Sequence, residues 1–175
     1  ESIPLLQDNP EIRPAENTVV GLTGSTTFGP VTLSADYALS ALTRDKNAAP
    51  EENERQGFFR TFGGLVNPRQ STGYHNAFTT EASFRTTFGA INLGFERVDP
   101  GYRSMGTLFF NNDMENYTVG TNASLLKNKV SFNANLGVQR TNLRDNESQT
   151  NNRFISSVNL TYTPNQRWML NASHS

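Results

Sequence analysis

Five charged residues lie within or beside runs of alternating polar and apolar residues, where they could do chemistry together. They are Asp36, Arg44, Glu81, Arg85 and Glu96. Glu81 and Arg85 are four residues apart, so in a strand they share one face. Carboxylates and guanidinium groups on one face could line a water-filled pore or bind a polar solute. A structural network of charges that fills a narrow polar interior is the favoured interpretation.

A second group of candidates is the oxygen-rich stretch NNDMEN at Asn111–Asn116. Its Asp113 and Glu115 are weak candidates for holding a calcium ion. The stretch lacks the ligand spacing and the glycine of a calcium-binding loop, so a solvated loop is the favoured interpretation. We therefore predict no metal site and no cofactor.

Catalysis has little support in the sequence. The stretch SHS at Ser173–Ser175 sets a hydroxyl beside an imidazole, but a serine nucleophile must lie within hydrogen-bond reach of its base. Adjacent strand residues point to opposite faces, which separates Ser173 from His174. The chain has no cysteine, so thiolate metal ligands and disulfides are excluded. We predict that the protein is not an enzyme and has no catalytic residues.

The composition limits the class of protein. The 175 residues carry a net charge of −1, which gives no electrostatic case for nucleic acid as a partner. Only 35% of the residues are hydrophobic, and the chain holds 21 Asn and 19 Thr. Thr favours strands, whereas Asn inside strands needs a special reason, and a polar barrel interior supplies one. No run of eighteen apolar residues occurs, so no membrane-spanning helix is predicted.

Alternating residues predict the elements that must position these side chains. From Val130 to Gln139, apolar and polar side chains alternate without a break, which is typical of a strand with two unlike faces. This run of eight steps from Val130 to Val138, at ~3.4 Å each and tilted by about 40°, rises roughly 21 Å, close to the apolar band of a membrane barrel. Eight strands are predicted, at Thr18–Ser25, Val31–Ser40, Ala77–Thr87, Ile91–Val98, Tyr117–Leu125, Val130–Gln139, Phe154–Thr163 and Trp168–Ala172.

Short and long connections alternate between these strands. Two of the short ones follow the repeated sequence TTFG, where Gly29 and Gly89 are expected to supply the backbone freedom of a tight turn. The long ones cover about 45–72, 99–114 and 144–152. This alternation is typical of bacterial outer-membrane barrels, in which short turns are periplasmic and long loops extracellular.

Aromatic residues lie near both ends of the predicted strands, as they do in the aromatic girdles of membrane barrels. A general preference of aromatics for strand ends is the alternative. The candidates for the lipid interface are Phe28, Phe88 and Trp168 near the short turns and Tyr102, Phe109 and Phe110 near the long loops. Arg97 and Arg140 fall on the apolar side near the long loops, where they could reach lipopolysaccharide phosphates or simply extend their charges to water.

The longest predicted loop, 45–72, is charged in its first half and aromatic in its second. Loops of this length in compact domains are usually functional or disordered. Phe58, Phe59 and Phe62 are the candidates for contact with a partner protein, because exposed apolar residues often mark an interface. Alternatively, they pack back over the rim of the sheet.

Three stretches carry a resemblance to known proteins: FERVDPGY at Phe95–Tyr102, FFNND at Phe109–Asp113 and GVQRTNL at Gly137–Leu143. They resemble large outer-membrane β-barrel proteins of the Bacteroidota, a mostly uncharacterised family. The resemblance covers about Val19 to the C-terminus and implies fold and location rather than activity. Members are usually much longer, and many barrels end on an aromatic residue where this chain ends NASHS. We therefore expect a segment of a longer barrel.

These observations predict an all-β fold, an antiparallel up-and-down transmembrane β-barrel or an arc of a larger one. It is expected to have about eight strands, with short periplasmic turns and long extracellular loops. Residues 1–17 are expected to form an extended, Pro-rich N-terminal segment, and residues 18–175 the strands and loops.

The expected function is that of a non-enzymatic, porin-like component of transport, secretion or membrane assembly in the bacterial outer membrane. It would act through a polar lumen or through loop contacts. The expected partners are outer-membrane lipid, lipopolysaccharide and other outer-membrane or surface proteins. The alternative is a soluble, secreted β-sandwich that binds glycans or surfaces, because a sandwich buries the same apolar face that a barrel presents to lipid.

Overall fold

Eight antiparallel strands make up the fold. The computed structural model describes residues 13–51, 63–104, 111–143, 151–165 and 167–175. The strands are β1 (Glu16–Phe28), β2 (Val31–Thr43), β3 (Thr72–Thr86), β4 (Gly89–Val98), β5 (Met114–Leu125), β6 (Val130–Thr141), β7 (Asn152–Asn165) and β8 (Trp168–His174). The predicted all-β, up-and-down order is confirmed. Several strands are longer than predicted because the hydrogen-bonded ladder continues beyond the residues that alternate regularly.

All eight strands belong to one sheet, in which each strand pairs with its neighbours along the chain. The spatial order is β1-β2-β3-β4-β5-β6-β7-β8. Within the described residues no ladder joins β1 to β8, so the sheet is open at these two edges. This architecture is compatible with an arc of a β-barrel. The described residues contain no helix with the length and apolarity needed to cross a membrane.

One face of the sheet, called here the apolar face, gathers the large hydrophobic side chains. A single row of register partners across five strands joins Leu33, Ala82, Leu93, Val119 and Leu136. These side chains are not covered by a second layer: Leu93 is 52% exposed, Val119 49% and Leu136 44%. The apolar face is therefore open along the middle of the sheet.

The opposite face, called here the polar face, carries Asn, Thr and Ser. A row on this face joins Thr32, Ser83, Asn92, Gly120 and Asn135. Because side chains alternate across a strand, the residues Asn92, Asn116, Asn122, Asn133 and Asn135 all fall on this face.

The glycines at the two TTFG turns have different structural roles. Gly29 has φ of 56°, in the left-handed region that glycine adopts without strain, as predicted. The prediction for Gly89 was wrong. Gly89 is the first residue of β4, it is absent from the positive-φ glycines of the described chain, and a Cβ there would collide with the backbone of Asn122 and Ala123 in β5. Glycine is needed there for close strand contact rather than for backbone freedom.

The turn between β5 and β6 is left-handed without any glycine. Leu126, Lys127 and Asn128 have φ of 52°, 57° and 66°. Asn tolerates this conformation, whereas Leu and Lys adopt it at a cost of roughly 1–2 kcal/mol each. The Asn128 carboxamide accepts a hydrogen bond from Ser124 Oγ at 2.8 Å, which helps to hold the turn.

Buried residues gather at the end of the sheet where the long loops emerge, called here the loop end. On the apolar face, Val66 of the first long loop packs on Ala41. On the polar face, Tyr102 of the second long loop packs with Val98 and Met114. The strands therefore meet loop residues at one end only, and the short-turn end has no comparable cluster among the described residues.

Candidate functional site

Three of the charged residues predicted as a group, Asp36, Glu81 and Glu96, lie near the middle of the polar face. One row of register partners joins Asp36, Thr79, Glu96 and Asn116 on β2 to β5. The Asn116 amide donates to Glu96 Oε2 at 3.4 Å. Glu81 lies two residues from Thr79 along β3 and therefore on the same face. Three carboxylates from three neighbouring strands thus share the centre of this face.

A groove of about 290 Å³ occupies this centre. Its floor includes Gly94 and Gly120, and two side chains of neighbouring strands lie across these glycines. Thr118 Oγ1 contacts the site where a Cβ of Gly94 would stand, and Asn135 Oδ1 lies 2.7 Å from the corresponding point at Gly120. Because glycine has no side chain, it makes room for these two side chains at the floor of the groove. Hydroxyls, amides and carboxylates line it together with Phe95, so it offers hydrogen-bond partners to water and polar solutes.

Four of the five predicted charged residues lie on the polar face of the strands. Asp36 pairs with Thr79 and Glu81 with Gly94, while Arg85 lies nearer the turns as partner of Ala90. Asp36 and Glu96 lie in one row across the strands, whereas Glu81 and Arg85 lie progressively nearer the turns. The four side chains therefore do not form one compact cluster.

Arg44 is the exception, because β2 ends at Thr43 and strand alternation no longer assigns its face. Its backbone amide donates to the carbonyl of Ser71 at 3.4 Å. It lines a separate cavity of about 490 Å³ with Arg13 and Asp45 at the loop end. The structure does not group it with the central carboxylates.

The loop end of the apolar face carries a row of charges. Arg97, Glu115 and Arg140 are register partners on β4, β5 and β6. Arg97 Nη1 lies 3.4 Å from Glu115 Oε2, and the Tyr117 hydroxyl donates to the other oxygen of Glu115. Arg97 Nε also lies 3.6 Å from Asp99 Oδ1. This row marks the place where the apolar band stops.

The sequence indicates Glu115 and Asp113 only as weak calcium ligands, and in the structure the two carboxylates have different partners. Asp113 Oδ1 accepts the backbone amide of Leu143 at 2.7 Å. Glu115 belongs to β5, which begins at Met114 rather than at Tyr117 as predicted. Glu115 lies two residues before Tyr117, so a predicted strand extended by two residues would have placed both side chains on the apolar face. Among the described residues, no three His, Cys, Asp or Glu side chains form a group that could hold a metal ion.

A segment of the second long loop crosses the polar face, and we call Asp99–Ser104 the strap. It opens with a turn in which Tyr102 N donates to the Asp99 carbonyl at 3.1 Å and Gly101 has φ of 84°. Pro at the second and Gly at the third position of DPGY are the residues that a type II turn favours. The carboxylate of Asp99 accepts hydrogen bonds from the backbone and side-chain amides of Asn76, at 2.9 and 3.0 Å.

The strap then runs from β4 back towards β1. Gly101 lies against the ring of His75 on β3, so a Cβ there would stand 2.8 Å from His75 Cε1. The carbonyl of Arg103 accepts hydrogen bonds from Ser40 Oγ on β2 at 3.0 Å and Asn17 Nδ2 on β1 at 2.8 Å. Ser40 is fully buried. The strap therefore spans four strands.

Tyr102 does not lie on the apolar face, where the prediction of a lipid-interface role would require it. It is 5% exposed and packs on Val98 and Met114 of the polar face, with Ala38 and Ala77 at its side. Burial raises the pKa of its hydroxyl. The sequence indicated only that Tyr102 lies by a long loop, and after the turn at Asp99 the chain reverses onto the polar face.

The other aromatic candidates divide into two groups. Phe28, Phe88 and Trp168 are exposed at the short turns, where the sequence placed them. Phe109 and Phe110, and the partner-contact candidates Phe58, Phe59 and Phe62, lie outside the described residues. On the apolar face, the rings of Phe78, Phe95 and Tyr117 form a chain across three strands, with centroids 6.1 and 5.0 Å apart.

Ser173 and His174 lie on opposite faces, as predicted. His174 is the register partner of Val158, and Ser173 that of Asn159. No family profile, curated protein or solved structure matches this chain.

Proposed function

We propose that this chain is part of a non-enzymatic β-barrel of the bacterial outer membrane, with lipid on the apolar face and water on the polar face. The observation that carries the proposal is the distribution of polarity. The polar side chains surround a groove, while the large hydrophobic side chains form an open surface. In water this arrangement would leave a large apolar area hydrated, at roughly 25 cal/mol per Å². In a bilayer the same surface is favourable.

The dimensions of the apolar face fit a membrane. On β6 the apolar side chains run from Val130 to Val138, and Arg140 follows. Eight steps of ~3.4 Å at a tilt of about 40° give a band roughly 21 Å high, close to the apolar band of about 25 Å in outer-membrane barrels. The band ends at a charged row on one side and at exposed aromatic residues near the turns on the other.

The polar face would line the interior of the barrel. Such interiors are polar and water-filled, or plugged by loops. The carboxylates of Asp36, Glu81 and Glu96 would face this water rather than lipid, where an isolated charge is costly. The role of the protein would be passive, in transport, secretion or membrane assembly, through this interior or through loop contacts with other surface proteins and lipopolysaccharide.

The two edges of the sheet also bear on the proposal. A strand edge of unpaired backbone groups cannot face the interior of a bilayer. We propose that β1 and β8 pair with further strands of a larger barrel, of the kind that the sequence resemblance to Bacteroidota proteins implies. The alternative, a soluble β-sandwich, needs a second layer over the apolar face, and the described strands all belong to a single sheet.

Quenching of tryptophan fluorescence by brominated lipid tests which face is in contact with lipid. Trp168 is the only tryptophan, so Trp168→Phe provides a silent background. In that background Leu136→Trp, on the apolar face, is expected to be quenched strongly by lipids brominated in their acyl chains. Asn133→Trp, on the polar face of the same strand, is the matched control and is expected to be quenched weakly. The protein should also require detergent for extraction.

The opposite result would overturn the proposal. A chain that is released into buffer without detergent, and whose Leu136→Trp fluorescence is insensitive to brominated lipid, is a soluble protein. The sandwich alternative would then direct the search to glycan ligands on the hydrated polar face.

A further inference from the structure

We infer that the strap, Asp99–Ser104, is a constriction that sets the largest solute able to pass along the polar face. The inference rests on the proposed function and adds the element that selects by size. Its basis is the path of the strap, which leaves β4 and travels over β3 and β2 to β1 instead of turning directly to β5.

The strap is fastened at both of its ends. At its beginning, Asp99 N donates to the carbonyl of Asn76 at 2.9 Å, while the Asp99 side chain accepts two hydrogen bonds from the same residue. At its far end, the carbonyl of Arg103 receives the two hydrogen bonds from Asn17 and Ser40. The single hydroxyl hydrogen of Ser40 is shared between this carbonyl, at 3.0 Å, and Asn17 Oδ1, at 2.8 Å, so the two anchoring side chains also contact each other.

The middle of the strap is held by packing. The four residues beneath Tyr102 form one row of register partners across β2 to β5: Ala38, Ala77, Val98 and Met114. This is the only row of the polar face in which the described residues of these four strands are all apolar. An apolar row on a wet face needs a cover, and the ring of Tyr102 supplies it.

The strap also lies at a position suited to size selection. The row beneath Tyr102 is directly next to the row of Asp36, Thr79 and Glu96 that borders the groove. A solute that moves along β2 to β4 between the loop end and the groove therefore passes the strap. Because it is tied to the sheet at β1, β2 and β3, the strap narrows this route rather than projecting away from it.

The test removes the far anchor in the full-length chain. Asn17→Ala with Ser40→Ala deletes both hydrogen bonds to the Arg103 carbonyl. The matched control is Ser25→Ala with Ser34→Ala, a pair of register partners on the same two strands and face but nearer the turns. The first readout is trypsin cleavage after Arg103 in detergent, which follows the population of the released strap when opening is fast. The second is the largest sugar that permits swelling of liposomes containing the protein.

The anchor variant is expected to be cleaved after Arg103 about tenfold faster than the control, which corresponds to a shift of ~1.4 kcal/mol in the opening equilibrium. It is also expected to admit larger sugars. Unchanged cleavage and an unchanged size limit would overturn the inference. Faster cleavage with an unchanged size limit would also overturn it, because the strap would then be anchored without restricting passage.

Two further measurements distinguish failure of the constriction from failure to fold and from failure of the proposed barrel. If the double variant does not fold, Asn17→Ala alone, on the edge strand β1, removes one of the two bonds and should give the same changes at smaller size. The brominated-lipid test is run on the same preparation. Quenching of Leu136→Trp together with an unchanged size limit refutes the constriction alone, whereas absence of quenching refutes the barrel on which it depends.

Discussion

At the short-turn end of the sheet the connections are two to four residues long, whereas at the loop end long segments fold back onto the strands. The turn end is held by backbone geometry within each hairpin, as at Gly29 and at Leu126–Asn128. The loop end is held by burial and by hydrogen bonds between residues far apart in sequence, as between Asn17 and Arg103. The two ends of the same strands therefore derive their stability from different sources. Truncation of a buried aromatic residue should therefore lower the stability of the loop end. Replacement of a glycine with positive φ should lower the stability of the turn end.

The largest expected effect is at the loop end, with Tyr102→Ala. Removing this buried ring should lower the free energy of unfolding by about 3 kcal/mol, in the range for buried aromatic truncations. Phe88→Ala, at the turn end, is the matched control, and because Phe88 is 55% exposed it should lose less than about 1 kcal/mol in detergent. Urea titration followed by Trp168 fluorescence measures both. Equal losses would abolish the distinction between the ends.

An intermediate effect is expected at the turn end, with Gly29→Ala. A Cβ at φ of 56° is strained, and the free energy of unfolding should fall by roughly 1–2 kcal/mol. Gly24→Ala is the control in the preceding strand, β1, since a Cβ there meets nothing within 4 Å. It should be neutral or slightly stabilising, because alanine restricts the unfolded chain. Equal effects of the two substitutions in the urea titration would contradict a special role for the positive φ of Gly29.

The smallest effect should be a gain of stability from Lys127→Gly. Relief of the left-handed conformation at φ of 57° should raise the free energy of unfolding by about 0.5–1 kcal/mol, less than the full strain because glycine also frees the unfolded chain. Lys129→Gly removes the same charge from the same turn without a positive φ, and it should be neutral or destabilising. A loss of stability in Lys127→Gly would show that the turn is not strained.

Much of the sheet could be predicted from the sequence, because strand alternation is a local signal. Alternation within one strand assigns each residue of Val130–Gln139 to a face without knowledge of any partner strand. The same holds for Asp36 and for Glu96 in their own strands. The register confirmed these assignments. The gaps between the eight runs also gave the short and long connections.

The errors occurred where a strand ends or where partners are distant. Arg44 and Glu115 lie within two residues of a strand end, and there parity assigns a face only if the boundary is known. The position of Tyr102 on the polar face could not be predicted, because a DPGY sequence favours a turn but does not give the direction of the chain after it. That direction depends on Ser40 and Asn17, which lie 63 and 86 positions from Arg103.

The hydrogen bond between Asn17 and Arg103 has a consequence for assembly. Sheets whose strands pair only with sequence neighbours can add one hairpin at a time, and a slip of one residue turns every side chain of a strand to the opposite face. A slipped β1 would direct Asn17 away from the strap, and the bond to Arg103 could not form. The bond from Asn17 to Arg103 therefore stabilises only the correct alignment of β1 to β4 and not a slipped one.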